Sequence, residues 1–304
     1  MRGRRCVSCR PAVLAGALLL CVALVPSCNL EGYGLDELFY RENAVGSRAH
    51  ELKELSGTDA PDDSEIPASG AYTVLVITDV HFGGENSGVC GGRRDDEFLA
   101  AIGALSGGGR PKFCICLGDV AEYGREGEYR AYLDFIGKLE ALGIRTYTVV
   151  GNHDLYNSGW TQFERLVFPH TSFYHFKTRN FSWYFADSAG GSLGERQSAA
   201  LLRAMRSDPA PKIVSMHVPL YAGGLFYYSA QNTEERNHLL SGFAKNDVRL
   251  LLVGHTHKEI HSDFGAFVEE NIPAYLEKRG YALVTVDEDG GTASCSIRYL
   301  DGGA

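Results

Sequence analysis

The sequence is short of basic residues: 29 Lys and Arg stand against 38 Asp and Glu, a net charge of −9 over 304 residues. So acidic a chain has no basic footprint for gripping long nucleic acid, and an anionic substrate must be drawn in locally, by a metal or a few arginines. Long apolar runs are missing too. The run Ala12–Val25 holds 14 residues, about 21 Å of helix at 1.5 Å per residue, well below the ~30 Å hydrocarbon core of a bilayer. With 44% hydrophobic and 22% charged residues, the chain is neither disordered, fibrous nor a multi-span membrane protein. Beyond Cys28 the cysteines are Cys90, Cys114, Cys116 and Cys295, with no CxxC or zinc-finger spacing. Cys114 and Cys116 lie two apart in the apolar run Phe113–Leu117, hence on one strand face. They read as small buried hydrophobes rather than as a disulfide.

What is present begins with an address. Four arginines within Met1–Arg10 precede the apolar run and a Pro26-Ser27-Cys28 exit, the pattern of a secretory signal over residues 1–27. The exit resembles the lipobox of bacterial lipoproteins, with Val25 where leucine is usual. That implies a lipidated Cys28 as the new N-terminus and an exported protein anchored to a membrane of the bacterial cell envelope. The processed chain carries 25 basic and 38 acidic residues, a net −13. Residues 28–69 shift to Gly, Asp, Glu and Ser and end in Asp59-Ala60-Pro61-Asp62-Asp63-Ser64-Glu65-Ile66-Pro67. They read as an acidic flexible tether, within which Leu38, Val45, Leu52 and Leu55 are spaced for a short helix. Residues 70–304 then form one large α/β domain.

The domain repeats one local pattern. Val74–Thr78 runs into Asp79-Val80-His81, and Phe113–Leu117 into Gly118-Asp119. Thr146–Val150 runs into Gly151-Asn152-His153-Asp154, Ile213–Met216 into His217, and Leu250–Val253 into Gly254-His255-Thr256-His257. Each run is short, apolar and β-rich, as in strands buried on both faces, and each ends at metal-binding residue types. Helical spacing occupies Glu97–Leu105, Tyr129–Leu142, Gln197–Met205 and Glu234–Phe243. Alternating strands and helices predict an α/β sheet, and ligands bind such sheets at the carboxyl ends of their strands. The five loops are therefore expected to converge. Asp, His and Asn without a thiolate suit Mn, Fe or Zn; two ions need about eight ligand contacts, of which one carboxylate can supply a bridge. Gly118, Gly151 and Gly254 fit the sharp turns and close approaches of a crowded site.

These five motifs, in order over residues 79–257, resemble the signature of the calcineurin-like metallophosphoesterases. The resemblance implies a four-layer α-β-β-α sandwich, two mixed β-sheets flanked by helices. It also implies two di- or trivalent metal ions: Asp79, His81 and His257 hold one, Asn152, His217 and His255 the other, and Asp119 bridges them. A metal-bridging hydroxide attacks phosphorus, while His153 binds no metal, faces the phosphate and protonates the leaving oxygen. The family often orients that histidine with an Asp three residues after the bridging one; Glu122 stands in that place. Asp154 is expected to cap the following turn.

The remaining features are weaker. Arg93 and Arg94, after the Gly-rich loop Gly83–Gly92, are candidate substrate-binding residues, against the reading of a solvated loop and a basic helix start. Phe173–Phe185 reads as a core strand. Leu220–Tyr228 follows His217, so Tyr221, Phe226, Tyr227 or Tyr228 are candidates to wall a substrate pocket. Tyr281–Asp287 and Ala293–Leu300 read as a closing hairpin. His50, His170, His175, His238 and His261 fall outside the pattern and are assigned surface or structural roles. The leading expectation is a dinuclear phosphohydrolase acting on a phosphomonoester or small phosphodiester. The alternatives are a nuclease for short nucleic acids and a catalytically idle envelope-binding lipoprotein on the same scaffold. No feature specifies an oligomeric state.

Overall fold

A computed structural model of the chain describes residues 44–62, 64, 66–67, 70–84 and 93–300. The signal sequence, Cys28 and Cys90 lie outside these residues. The strands are β1 (Lys53–Glu54), β2 (Ala71–Ile77), β3 (Pro111–Cys116), β4 (Arg145–Thr148), β5 (Tyr174–Lys177), β6 (Ser182–Phe185), β7 (Lys212–Ser215), β8 (Val248–Val253), β9 (Ile260–Asp263), β10 (Val268–Asn271), β11 (Gly280–Asp287) and β12 (Thr292–Tyr299). They form a five-stranded sheet, β12-β11-β2-β3-β4, and a seven-stranded sheet, β1-β5-β6-β7-β8-β10-β9. Both sheets are mixed. β2, β3 and β4 run parallel, as do β6, β7, β8 and β10, with antiparallel strands toward the edges.

The two-residue side-chain period of a strand explains the layering. Val74, Val76, Phe113 and Ile115 of the smaller sheet meet Trp183, Phe185, Ile213, Leu250 and Leu252 of the larger one in a core between the sheets. The intervening Leu75, Ile77, Cys114 and Cys116 turn the other way, under the helices Asp95–Gly103, Glu126–Ala141 and Gly159–Leu166. Tyr184, Val214, Leu251 and Val253 likewise face the helices Gly194–Ser207 and Thr233–Lys245. Three apolar layers between four layers of secondary structure make the expected α-β-β-α sandwich. Cys114 and Cys116 are free and buried on one face, as their spacing predicts, and burial pushes the Cys116 thiol up to about 12. The hairpin forms with Gly280 opposite Tyr299.

Two expectations need correction. The stretch Phe173–Phe185 is not one strand but the antiparallel pair β5–β6, because the chain reverses between Lys177 and Ser182. The tether does not extend to residue 69. A short helix, Val45–Arg48, lies in the expected stretch, β1 pairs in parallel with β5, and Leu55 and Ile66 enter the inter-sheet core. Acidic composition hid what holds this segment down. Arg48 donates Nε to Asp187 Oδ2 at 2.9 Å and Nη2 to Oδ1 at 3.0 Å, with both side chains fully buried. Such a bidentate pair is strong where water is excluded.

Removing one partner of a buried pair strands the other's charge. Arg48→Met is expected to lower unfolding free energy by about 3–5 kcal/mol in denaturant titrations. The double replacement Arg48→Met with Asp187→Leu should lose less than Asp187's stranding costs in the single variant.

Candidate metal centre

All five expected loops meet at one end of the sandwich. Asp79 and His81 follow β2, Asp119 follows β3, and Asn152 and His153 follow β4, all from the smaller sheet. His217 follows β7 and His255 and His257 follow β8, from the larger one. The loops are tied to one another through main chain. Asp79 N–H donates to Gly118 O at 3.0 Å, His81 N–H to Asp119 O at 3.0 Å, and Gly254 N–H to His217 O at 3.0 Å. The glycines serve close approach, as their positions suggested. A Cβ on Gly151 would sit 2.2 Å from Asp119 N, and one on Gly254 would sit 2.1 Å from Thr78 Oγ1.

Backbone conformation is the unexpected feature. Asp79, His81, Asp119, His255 and His257 have φ of 53°, 42°, 50°, 67° and 56°. A non-glycine residue pays for the left-handed region, and such strain gathers where the surrounding structure imposes it for function. Here it turns the side chains of successive or alternate residues into one small volume.

The two buried carboxylates are arranged alike. Asp79 Oδ2 accepts from Thr78 Oγ1 at 2.6 Å and from His255 N–H at 3.1 Å. That leaves Oδ1, buried without a hydrogen-bond partner, facing His257 Nε2 at 3.3 Å and His81 Nε2 at 3.8 Å. Asp119 Oδ1 accepts from His153 N–H at 2.8 Å, and Oδ2 faces His217 Nε2 at 3.3 Å and His81 Nε2 at 3.8 Å. The imidazoles mirror this division. His217 Nδ1 donates to Leu117 O at 2.8 Å, His257 Nδ1 to Glu277 Oε1 at 2.8 Å, and His81 Nδ1 lies 2.9 Å from Glu122 Oε2. The Nδ1 of His217 and of His257 is thereby engaged by an acceptor, while His81 Nδ1 has the Glu122 carboxylate beside it without a hydrogen bond; each Nε2 points inward, the orientation that outer acceptors impose on metal-ligating histidines. His217 Nε2 also lies 3.0 Å from Asn152 Oδ1.

This donor set fits metal ions. Asp79, His81 and His257 place one ligand atom each within 4.8 Å of one another, as do Asp119, His217 and His255, and His81, Asp119 and His153. The orphaned Asp79 Oδ1, and His81 Nε2 and His257 Nε2 only 3.4 Å apart, need a cation or protons between them. Without metal, protons take that part. Burial works against charging His217 and His257, but Asp119 and Asp79 raise both to about 9. His81 is likewise raised well above the ordinary histidine range against its burial. Burial and the neighbouring His217 push His255 down to about 4, so it is neutral and ready to ligate. Burial favours the neutral acids, yet the histidines hold Asp79 and Asp119 well below the usual carboxylate range.

Other expected residues divide. His153 stands at the edge of the cluster, its side chain 26% exposed, in edge contact with the His81 ring at 4.7 Å. Its Nδ1 donates to the main-chain oxygen of Glu122 at 2.9 Å. The Glu122 carboxylate lies 3.7 Å from His153 Nδ1 and 2.9 Å from His81 Nδ1. The expected Glu122–His153 contact is therefore made by main chain. The carboxylate thus stands between His153 and His81, nearer the latter. Asp154 does not cap a turn. Fully buried, it accepts from Val120 N–H and Ala121 N–H at 3.0 Å and Gly151 N–H at 2.9 Å, tying the Asp119 loop to the Asn152 loop. Arg93 and Arg94 do not join the cluster of ligand atoms. Arg93 donates to Val80 O at 2.7 Å and Asp95 at 2.9 Å with its guanidinium on the Phe82 ring, and Arg94 pairs with Glu97. Local carboxylates, a main-chain carbonyl and a ring face engage them. Among the other histidines, His261 pairs with Glu270 at 2.9 Å. Two residues escaped the sequence reading: Glu277, which orients His257, and Glu269, whose buried carboxylate accepts from Leu220, Tyr221 and Ala222 N–H. Neither lies in a motif, so no sequence signal marked them.

Comparison with known proteins agrees with this geometry. The model of the calcineurin-like phosphoesterase family matches residues 72–259. A dimetal phosphatase from Danio rerio superposes with a TM-score of 0.61 at 16% identity, covering 75% of this chain and 96% of that one. Yellow lupin purple acid phosphatase does so with 0.58 at 14% identity, covering 78% and 52%. GAP50, the anchor in the inner membrane complex of Plasmodium, gives 0.55 at 13% identity, covering 77% and 86%. At such identities the likeness is one of fold. No curated protein sequence matches the chain.

Because ligating imidazoles must be deprotonated, loading Mn²⁺ at pH 7.5 is expected to release about three protons, from His81, His217 and His257. Titration calorimetry in buffers of differing ionisation enthalpy measures the number; a value near zero would contradict the ligand set. Glu277→Gln should weaken metal binding by about 10–100-fold, read by competition with a chelating dye.

Proposed function

The chain belongs to the calcineurin-like phosphoesterase family, and from that membership we propose that it is a metal-dependent phosphohydrolase using two ions to cleave a phosphomonoester or small phosphodiester. The observation that carries this reading is the inward convergence of three Nε2 atoms and two carboxylate oxygens, with one buried oxygen unpartnered. Asp79, His81 and His257 would hold one ion, Asn152, His217 and His255 the other, with Asp119 between. When bound, the ions supply Lewis-acid polarisation of the phosphoryl group and an acidified water nucleophile; Mn, Fe and Zn all suit these donors.

The protein's own groups do the rest. His153 hangs from the loop that carries Asn152, and its N–H is bonded to Asp119, so its position is tied to the ligand it neighbours. With Nδ1–H held by Glu122 O, the opposite ring nitrogen of the protonated imidazole is free to give its proton to the departing oxygen. The same proton stabilises charge developing there. Asp154 and Glu122 hold the two loops at the spacing this requires.

The acidic chain favours a small substrate over long nucleic acid. GAP50 carries the fold as an anchor, but a purely binding role gives no reason for a complete donor set with an additional oriented histidine. Export and lipidation at Cys28 remain part of the proposal, resting on the N-terminal pattern alone.

Turnover of an aryl phosphate monoester and its diester counterpart with Mn²⁺, and its loss on chelation, tests the reading; no turnover of any ester in the metal-replete protein would overturn it. Asp119→Asn is expected to lose bound metal and turnover together. His153→Asn should retain metal and lower kcat by about 10²–10⁴-fold, as metal analysis beside single-turnover kinetics would show.

A further inference from the structure

Among the described residues, the large hydrophobic side chains left exposed are four in a row, Leu225 at 40%, Phe226 at 54%, Tyr227 at 84% and Tyr228 at 41%. They belong to the loop that leaves His217, and this loop is built, not slack. Its backbone is left-handed at Ala222, Gly223 and Gly224. Three of its N–H groups, from Leu220 to Ala222, end on the buried Glu269 carboxylate. Gln231 Nε2 donates to the carbonyls of Phe226, Tyr227 and Ser229 at 2.8, 3.2 and 2.9 Å. Phe226 is covered by the Arg236 guanidinium at 4.9 Å and by Tyr221. Tyr227 stands edge-on to Tyr228 at 5.2 Å and buttresses it. Tyr228 itself lies 6.4 Å from the His255 ring and lines, with His255, His257, Lys258 and Lys278, a groove of about 380 Å³.

Holding aromatic rings rigidly in water costs free energy that folding does not recover. Rigid aromatics of this kind give contact area at low entropic cost to whatever settles on them. The groove begins at two candidate metal ligands, His255 and His257, so it offers the organic group of a phosphate ester held there a path along Tyr228. Resting on the phosphohydrolase reading, we propose that Tyr228 forms a subsite for the ester's organic group and selects phosphate esters whose organic group presents a planar ring. An aryl group on the ester oxygen and a nucleoside base one sugar away share that chemistry.

The test is binding of non-hydrolysable methylphosphonate, phenylphosphonate and a nucleoside 5′-phosphonate to the Mn²⁺-loaded protein by calorimetry. A ring on the ligand is expected to tighten binding roughly tenfold over methylphosphonate. Tyr228→Ala should erase that ratio and Tyr228→Phe restore it. A Tyr228-dependent gain for the phenyl ligand alone identifies an aryl ester, and for the nucleoside ligand alone a nucleotide. Phosphonates that bind with no ring preference, or a preference indifferent to Tyr228, overturn the subsite while leaving the hydrolase reading intact. If no phosphonate binds and no ester is turned over, both fall together.

Discussion

The structure depends on how two buried carboxylates divide their oxygens. Asp79 and Asp119 each spend one oxygen on an N–H from another loop, His255 in one case and His153 in the other. The second oxygen is thereby held facing imidazole nitrogens with nowhere else to turn. A buried carboxylate is costly unless its lone pairs are satisfied, so this division makes the fold and the site mutually dependent. The first oxygen fastens loop to loop; the second leaves a demand for positive charge. Because Asp79 and Asp119 rise from one sheet while His217, His255 and His257 rise from the other, meeting that demand also clamps the two sheets at that end.

The left-handed backbone at five of these residues belongs to the same account. Strain of this kind persists only when better-satisfied surroundings impose it. The strands β2, β3 and β8 are fully buried along their last residues and cannot shift to relieve it. Rigid strands therefore hold bent loops, and the bent loops aim the donors. Glu277 and the Leu117 carbonyl then set the rotation of the His257 and His217 imidazoles, with the Glu122 carboxylate against His81. Precision at the centre is thus distributed over a ring of residues that never face it.

Much of this was legible in the sequence, for a physical reason. Strands such as Val74–Thr78 and Leu250–Val253 are apolar on both faces, which only an interior sheet rewards, and the polar residues that end them stand out against that background. The glycines at 118, 151 and 254 were legible because a Cβ there has no room. What stayed hidden was whatever depends on meeting at a distance in the chain. Arg48 and Asp187 are 139 residues apart, and neither lies in a pattern, so an acidic segment that docks looked like one that floats. Arg93 and Arg94 stood between two readings because a basic pair beside a loop is ambiguous until its acidic neighbours, Asp95 and Glu97, are seen to engage it. Glu122 meets His153 as expected, chiefly through its main-chain oxygen, while its carboxylate lies closer to His81. A motif fixes where a side chain starts, not where it ends.

The docking of Val45–Arg48 and β1 has a consequence for reach. On the proposal that Cys28 carries a lipid, the separation between it and the docked segment is not the whole acidic stretch but the sixteen residues from Asn29 to Ala44, which span at most about 55 Å. Since the docked helix Val45–Arg48 packs on the helix Gly194–Ser207, that length and that point of attachment would together limit how far the metal centre can stand from a bilayer on the same proposal.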